Sequence, residues 1–236
     1  MLRKMSYPGG KGNVFQHIIN VLPKHRTYIE THLGGGAVMR QKKAAARSIG
    51  VDIDPIVISE WQNKHPERCE LVCADAAQFI RTFPFSGDEV VYSDPPYWPS
   101  TRRRPRIYRH EYTEHQHLEL LNELNQLPCA VVLSGYQNEA YESILTGWQS
   151  ITFLAPTQKG LREETLWLNY NLPQELHDFT FIGGNYRERE AIRRRQETLR
   201  RKIERLRPIE RASLVSWLME QYSLTEGQDE GRSLYA

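Results

Sequence analysis

Asp94, Pro95, Pro96 and Tyr97 stand together within VVYSDPPYWPS, residues 90–100. Proline has no backbone N–H, so two in succession end a strand at about Asp94 and stiffen the residues beyond it. A carboxylate, a bare backbone carbonyl and an aromatic ring are thereby held close together. Such stiffness suits a functional site, although a strand-ending turn needs no further purpose. Other acids close other apolar runs: Asp52 or Asp54 ends RSIGVDID, and Asp75 ends CELVCAD. In an open parallel sheet, ligands bind beyond the carboxyl ends of the strands. The run Gly34-Gly35-Gly36, after TYIETHL, lets a ligand approach the backbone. An acid after the second strand is well placed to bond ribose hydroxyls. In that order the features suggest an adenosine-containing cofactor. The G-x-G-x-x-G fingerprint of nicotinamide enzymes and the G-x-x-x-x-G-K-[ST] loop of ATPases are both missing.

The elements that must position these residues follow a βα rhythm, the pattern of a parallel sheet. Strands are expected over 27–33, 47–54, 69–75, 89–94 and 129–136, with a closing antiparallel pair at 148–157 and 164–171. Helices are expected over 37–46, from Pro55 (a favourable first-turn residue), between Asp75 and the fourth strand, and after Thr113. Thr113 and Gln116 have the spacing of a capping box. About seven strands result, with no internal repeat.

The chain has 236 residues, a quarter of them charged and 39% hydrophobic, with a net charge of +2. That is ordinary for one generous α/β domain with an appendage. No apolar run approaches the ~20 residues that span a bilayer, and MLRKMSYPGGKG lacks the apolar core of a signal peptide. Of three cysteines, Cys69 and Cys73 have no matching second pair for zinc. Reduced cysteines, a cytoplasmic location and no membrane association are the simplest reading. His110, His115 and His117 are expected as ordinary surface histidines, and Trp98, Trp148 and Trp167 as core or pocket walls.

From about Asn185 the composition changes. Ile192, Leu199, Ile203 and Leu206 form a narrow apolar stripe on a charged helix. Pro208 breaks or kinks it, and a more apolar helix comes after. Gly183 and Gly184 read as a hinge. The expected organisation is a catalytic domain over 1–184, a helical extension over 185–222 and a flexible tail over 223–236.

The stretches YPGGK (7–11), ETHLGGGAV (30–38), GVDIDP (50–55), CADAAQFI (73–80) and SDPPYW (93–98) occur in the order found in Dam-type (D12 class) DNA adenine-N6 methyltransferases. The chain resembles that family over about residues 5 to 172, EYTEHQHLELLNEL, LSGYQNEAYESIL and ETLWLNYN included. The resemblance implies a Rossmann-like methyltransferase sheet with S-adenosylmethionine as methyl donor. By the same resemblance, Tyr7, Gly9, Gly10 and Lys11 lie over the cofactor, and Glu30, Gly34 and Gly36 line its methionine side. Asp52 takes the ribose, Asp75 faces the cofactor adenine, and Asp94 to Tyr97 are catalytic. His32 departs from the family, which has Phe at that place after a Pro, so its effect on cofactor contacts is open.

The chemistry suits the motif. The amino group of adenine is a poor nucleophile because its lone pair is delocalised into the ring. A carboxylate and the Pro95 carbonyl, each accepting one N–H, favour a tetrahedral nitrogen, while Tyr97 stacks on the base. No metal is needed, and a base in a duplex has to be flipped out first. Only eighteen residues separate Asp75 from Asp94, too few for a separate recognition domain there. Target contact is therefore expected from Arg102, Arg103, Arg104, Arg106 and Arg109, directly after the catalytic motif, which can meet phosphates or guanine edges. The Arg-rich helix 187–207 could instead touch DNA, bind a protein partner or self-associate, since Glu188, Glu190, Glu197 and Glu204 interleave with its arginines.

A DNA adenine-N6 methyltransferase with reduced recognition apparatus is the leading expectation, and it would fit a restriction-modification or mobile-element setting. RNA adenine or cytosine-N4 would keep the chemistry and change the substrate. A silent nucleic-acid-binding homologue is the third reading, against which the intact Lys11, Asp52, Asp75 and Asp94-to-Tyr97 set argues.

Overall fold

The computed structural model describes residues 11–12, 14–101, 108–157, 160–173 and 175–222. One seven-stranded sheet organises the chain up to Ile182, which is one compact unit. Its strands are β1 (Thr27–Glu30), β2 (Arg47–Asp52), β3 (Glu70–Cys73), β4 (Glu89–Ser93), β5 (Ala130–Gly135), β6 (Gln149–Thr157) and β7 (Gly160–Leu168). They lie in the order β3-β2-β1-β4-β5-β7-β6. β1 to β5 are parallel, and β7 inserts antiparallel between β5 and β6. The order reverses between β1 and β4, which opens a crevice beyond their carboxyl ends.

Six helices accompany the sheet among the described residues: α1 (Phe15–Ile19), α2 (Ala37–Gln41), α3 (Pro55–Lys64), α4 (Ala76–Thr82), α5 (Glu114–Asn125) and α6 (Glu139–Ile144). The central strands β1, β4 and β5 are buried on both sides, so alternate residues along them feed different layers. Val91, Val131, Leu133 and Trp167 face a layer completed by Phe79, Leu120, Leu121 and Leu124. Val90, Tyr92, Val132, Leu166 and Leu168 face the opposite layer, completed by Ile18, Val38, Val57 and Trp61. Each fully buried aliphatic side chain contributes about 1.5–3 kcal/mol, so these two layers hold the strand ends in place.

Several local expectations are met. Asp54 caps α3 and Pro55 opens it, Asp75 caps α4, and Thr113 with Gln116 forms the capping box of α5. Others are corrected. The second helix stops at Gln41 instead of running to 46, because Arg68 takes the carbonyls of Met39, Arg40 and Lys42 and the chain turns extended towards β2. The last strand starts at Gly160, not 164, since its charged residues pair with β6 as far as Thr157↔Gly160. His117 is not a surface residue: it is fully buried, in register with Leu120, Leu121 and Leu124 on the inner face of α5, among Trp98, Tyr112 and Tyr141. α1 and α6 are additional to the expected helices.

The second unit begins at Gly183. Asn185 caps α7 (Tyr186–Glu204), and Pro208 starts α8 (Pro208–Tyr222). Along α7, Glu190 pairs with Arg193 and Arg194, and Glu197 with Arg201. Exposed pairs of this kind add little stability, and they neutralise part of the helix's charge internally. Among the described residues no helix is long and apolar enough to cross a membrane.

Candidate active site

Beyond the carboxyl ends of β1, β2 and β4 lies a cleft of about 700 Å³, open solvent at its mouth included. Lys11, Glu30, the glycine turn, Asp52, Asp94, Pro96 and Tyr112 are among its walls. The parallel strands bring these acids to one rim, although 63 residues of chain separate Glu30 from Asp94.

The glycine turn is clamped at Gly34. Its N–H donates to Asp52 Oδ2 at 2.8 Å, and its carbonyl accepts the Trp61 indole N–H at 2.9 Å. Gly34 and Gly36 have φ of 43° and 54°, the left-handed region that glycine reaches without a steric penalty. Asp52 Oδ1 accepts the Asp54 N–H at 2.9 Å. Both Asp52 oxygens thus hold backbone, and this residue, expected to take a ribose, also shapes the loop. Burial raises its carboxyl above the usual range, against the two backbone bonds.

Glu30, at the end of β1, is buried, with Oε2 accepting from the Tyr28 hydroxyl and the Met39 N–H. Burial pushes its carboxyl up to about 8, with the Asp94 charge adding to the effect. His32 has partners on both ring nitrogens: Thr31 Oγ1 at 3.0 Å from Nδ1 and the Tyr112 hydroxyl at 3.0 Å from Nε2. Burial, then the nearby His117, holds it down to about 3, so it is neutral. Asp75 caps α4 through the Gln78 N–H, and its neighbour Ala76 lines the cleft.

Asp94 emerges from β4 into a polar network. Its Oδ1 accepts from Lys11 Nζ at 2.7 Å and from Ser134 Oγ at 2.8 Å. Ser134 spends its only proton there, so Tyr92 must be the donor in the 3.1 Å contact between their hydroxyls. Among the described residues nothing donates to Asp94 Oδ2 or to the Pro95 carbonyl. Lys11 is 5% exposed and also lies 2.7 Å from Glu164 Oε1. Burial alone would lower the Lys11 pKa, but Asp94, Tyr97 and Glu164 outweigh it and hold it well above its usual value. Tyr97 stacks on Tyr136 with centroids 4.0 Å apart, and the Arg162 guanidinium covers Tyr136. A base can stack on that face of Tyr97 only if Tyr136 moves aside.

The structure therefore gathers Lys11, Glu30, Gly34, Gly36, Asp52, Asp94 and Pro96 in the walls of one cleft, while Asp75, Pro95 and Tyr97 stand beside wall residues without lining it. Tyr7, Gly9, Gly10, Arg102, Arg103, Arg104 and Arg106 lie outside the described residues, as does the tail 223–236. Arg109 is described: its Nε is 3.1 Å from Asp54 Oδ2, at the rim. Ser134, Tyr136, Arg162 and Glu164 join the site without having been expected from the sequence. The available signal was period two: Glu164 shares a strand face with Leu166 and Leu168, and Ser134 with Val132. A polar residue on a buried strand face has to be bonded to something.

Residues 7–80 match the family described as D12 class N6 adenine-specific DNA methyltransferase. The matched stretch ends before Asp94, so the Asp94–Tyr97 motif stands outside it. The match supports methyl transfer and S-adenosylmethionine as the cofactor. No curated protein matches the chain. Similar solved structures include the precorrin 8W decarboxylase of Methanobacterium thermoautotrophicum, at 12% identity over 70% of this chain and 94% of that one, TM-score 0.45. An rRNA methylase from Streptococcus thermophilus shares 11% identity over 65% of this chain and 93% of its own, TM-score 0.44. The 23S rRNA methyltransferase ErmE shares 12% over 75% and 81%, TM-score 0.43.

The cleft's chemistry fits that cofactor. S-adenosylmethionine carries a sulfonium and an ammonium, and Glu30, Asp52 and Asp94 line a space whose walls include one ammonium, that of Lys11.

Proposed function

We propose that this protein is an S-adenosylmethionine-dependent methyltransferase acting on the N6 amino group of adenine in DNA. The observation that carries the reading is the bonding of Asp94: it lines the cleft, its Oδ1 is anchored by Lys11 and Ser134, and among the described residues nothing donates to Oδ2 or to the adjacent Pro95 carbonyl. Two acceptors side by side are what an exocyclic amine with two N–H groups needs.

In this reading Glu30 and the glycine turn hold the methionine portion of the cofactor, and Asp52 the ribose. Bound there, the cofactor supplies an electrophilic methyl group. Asp94 Oδ2 and the Pro95 carbonyl each accept one N6 proton, which localises the nitrogen lone pair for in-line attack. Fixed acceptors in a site shielded from water need no reorganisation as charge develops. The Asp94 carboxylate stabilises the positive charge arriving on N6 and holds the proton that must leave. Tyr97 supplies a stacking wall, with Tyr136 as the ring that gives way. The arginines of 102–109 would meet phosphates, and the Arg-rich helix or a protein partner would supplement them.

Transfer of labelled methyl groups to duplex DNA, single-stranded DNA and RNA, with nucleoside mass analysis, tests this. N6-methyladenine in DNA is the expected product. Methylated RNA alone, or N4-methylcytosine, would reassign the substrate, and cofactor binding without transfer to any of them would overturn the reading.

A further inference from the structure

Glu164 is 2% exposed and has no part in the clamp formed by Asp94 and Pro95. It lies on β7 just past Thr165, whose partner Gly135 ends the pairing with β5. From there β7 continues beyond the sheet, paired only with β6. Glu164 thus projects at the level of the cleft, continuing the face of Leu166 and Leu168. Lys11 reaches the same point from the segment before α1, where its carbonyl accepts the N–H groups of Val14 and Phe15. Asp94 reaches it from β4. Three elements distant in sequence converge on one ammonium, with Asp94 Oδ1 and Glu164 Oε1 each 2.7 Å from Nζ.

We infer that Glu164 is a positioning residue for the transfer reaction, acting through Lys11 on Asp94; the inference rests on the proposed methyltransferase function. A lone Lys–Asp pair is neutral, and its ammonium would draw on all of the Asp94 charge. With Glu164 ionised, the triad of one cation and two carboxylates carries a net negative charge. That surplus lies where positive charge arrives on N6 as its C–N bond forms and the C–S bond breaks. The charge then leaves with one N6 proton, which passes to water. Glu164 also fixes the direction of the Lys11 ammonium, so that Lys11 holds Oδ1 and leaves Oδ2 turned to the amine. A buried acid that served only to neutralise Lys11 would be redundant, because Asp94 already does so.

The test compares Glu164→Gln with the wild-type chain, and each with its Lys11→Met counterpart. Glutamine keeps the size and the acceptor oxygen but not the charge. The expected result is a fall in kcat of about 10²-fold, in the range of single electrostatic groups at active sites, with S-adenosylmethionine affinity and melting temperature held. In the Lys11→Met background, Glu164→Gln should have little further effect on kcat, the mark of action through Lys11. A Glu164→Gln enzyme with wild-type kcat would overturn the assignment while leaving the methyltransferase reading intact. Full and independent losses in both backgrounds would overturn it equally. A wild-type chain that transfers no methyl group would overturn the reading beneath it.

Discussion

Trp61 and Gly34 are joined by a hydrogen bond, indole N–H to carbonyl at 2.9 Å, that fastens α3 to the glycine turn of the cleft. The Trp61 ring also fills the space beside Gly36, where a Cβ would come within 2.0 Å of it. The loop is thus shaped by a fully buried side chain of α3.

Gly36→Ala should therefore be costly. The left-handed backbone costs about 1–2 kcal/mol and overpacking against Trp61 about 1–3 kcal/mol more. Urea unfolding of this variant should show the sum, with weakened S-adenosylmethionine binding. Gly147→Ala is the control: its φ is 86°, but a Cβ there meets nothing within 4 Å. Equal losses at the two positions would show that Trp61 is not the cause.

Asp94→Asn keeps the shape of the clamp and removes its charge. Transfer should fall by about 10²–10³-fold, with fold and cofactor affinity retained. Ser134→Ala removes one donor to Oδ1 and leaves Lys11, so its loss should be nearer fivefold, the value of about 1 kcal/mol. Single-turnover methylation rates measure both. An active Asp94→Asn or Asp94→Ala enzyme would sink the assignment.

Acid should destabilise the protein through two histidines. Burial pulls His25 and His32 down to about 3 from an ordinary 6.5. The unfolded chain then binds protons that the folded chain does not. Their contribution is complete above pH 6.5 and is lost as pH falls towards 3, at up to about 1.4 kcal/mol per pH unit for each. His25 lies outside the cleft, stacked on His177 at 3.8 Å. Glu30, held up to about 8, works in the opposite sense between pH 8 and 4.5, so the measurement is the difference between the two chains. Across urea midpoints at pH 7.5, 5.5 and 4.5, His25→Asn should lose less stability than the wild-type chain. An unchanged slope would locate the acid sensitivity elsewhere.

Replacing Arg102, Arg103 and Arg104 with Ala should weaken DNA binding much more than cofactor binding. Every phosphate left without its arginine should lower the slope of log K against log salt by about 0.9. Titrations of labelled duplex at several salt concentrations report that slope. Equal loss of DNA and cofactor binding would point to misfolding.

The sequence by itself determined the βα order, the strand-ending prolines and the caps at Asp54, Asp75 and Thr113, because these depend on neighbours within a few residues. It also marked Asp52, Asp94 and the glycine turn, since function at a strand end needs those residue types there. Position 117 shows where local reading stops: its burial depends on which face of α5 meets the sheet, and a capped helix with three nearby histidines does not announce that. Glu164, Ser134 and Lys11 come from segments that share no local pattern. Only the tertiary structure decided that they meet at Asp94, because β7 inserts antiparallel beside β5 and extends past it, bringing a buried acid to the one ammonium that Asp94 already holds.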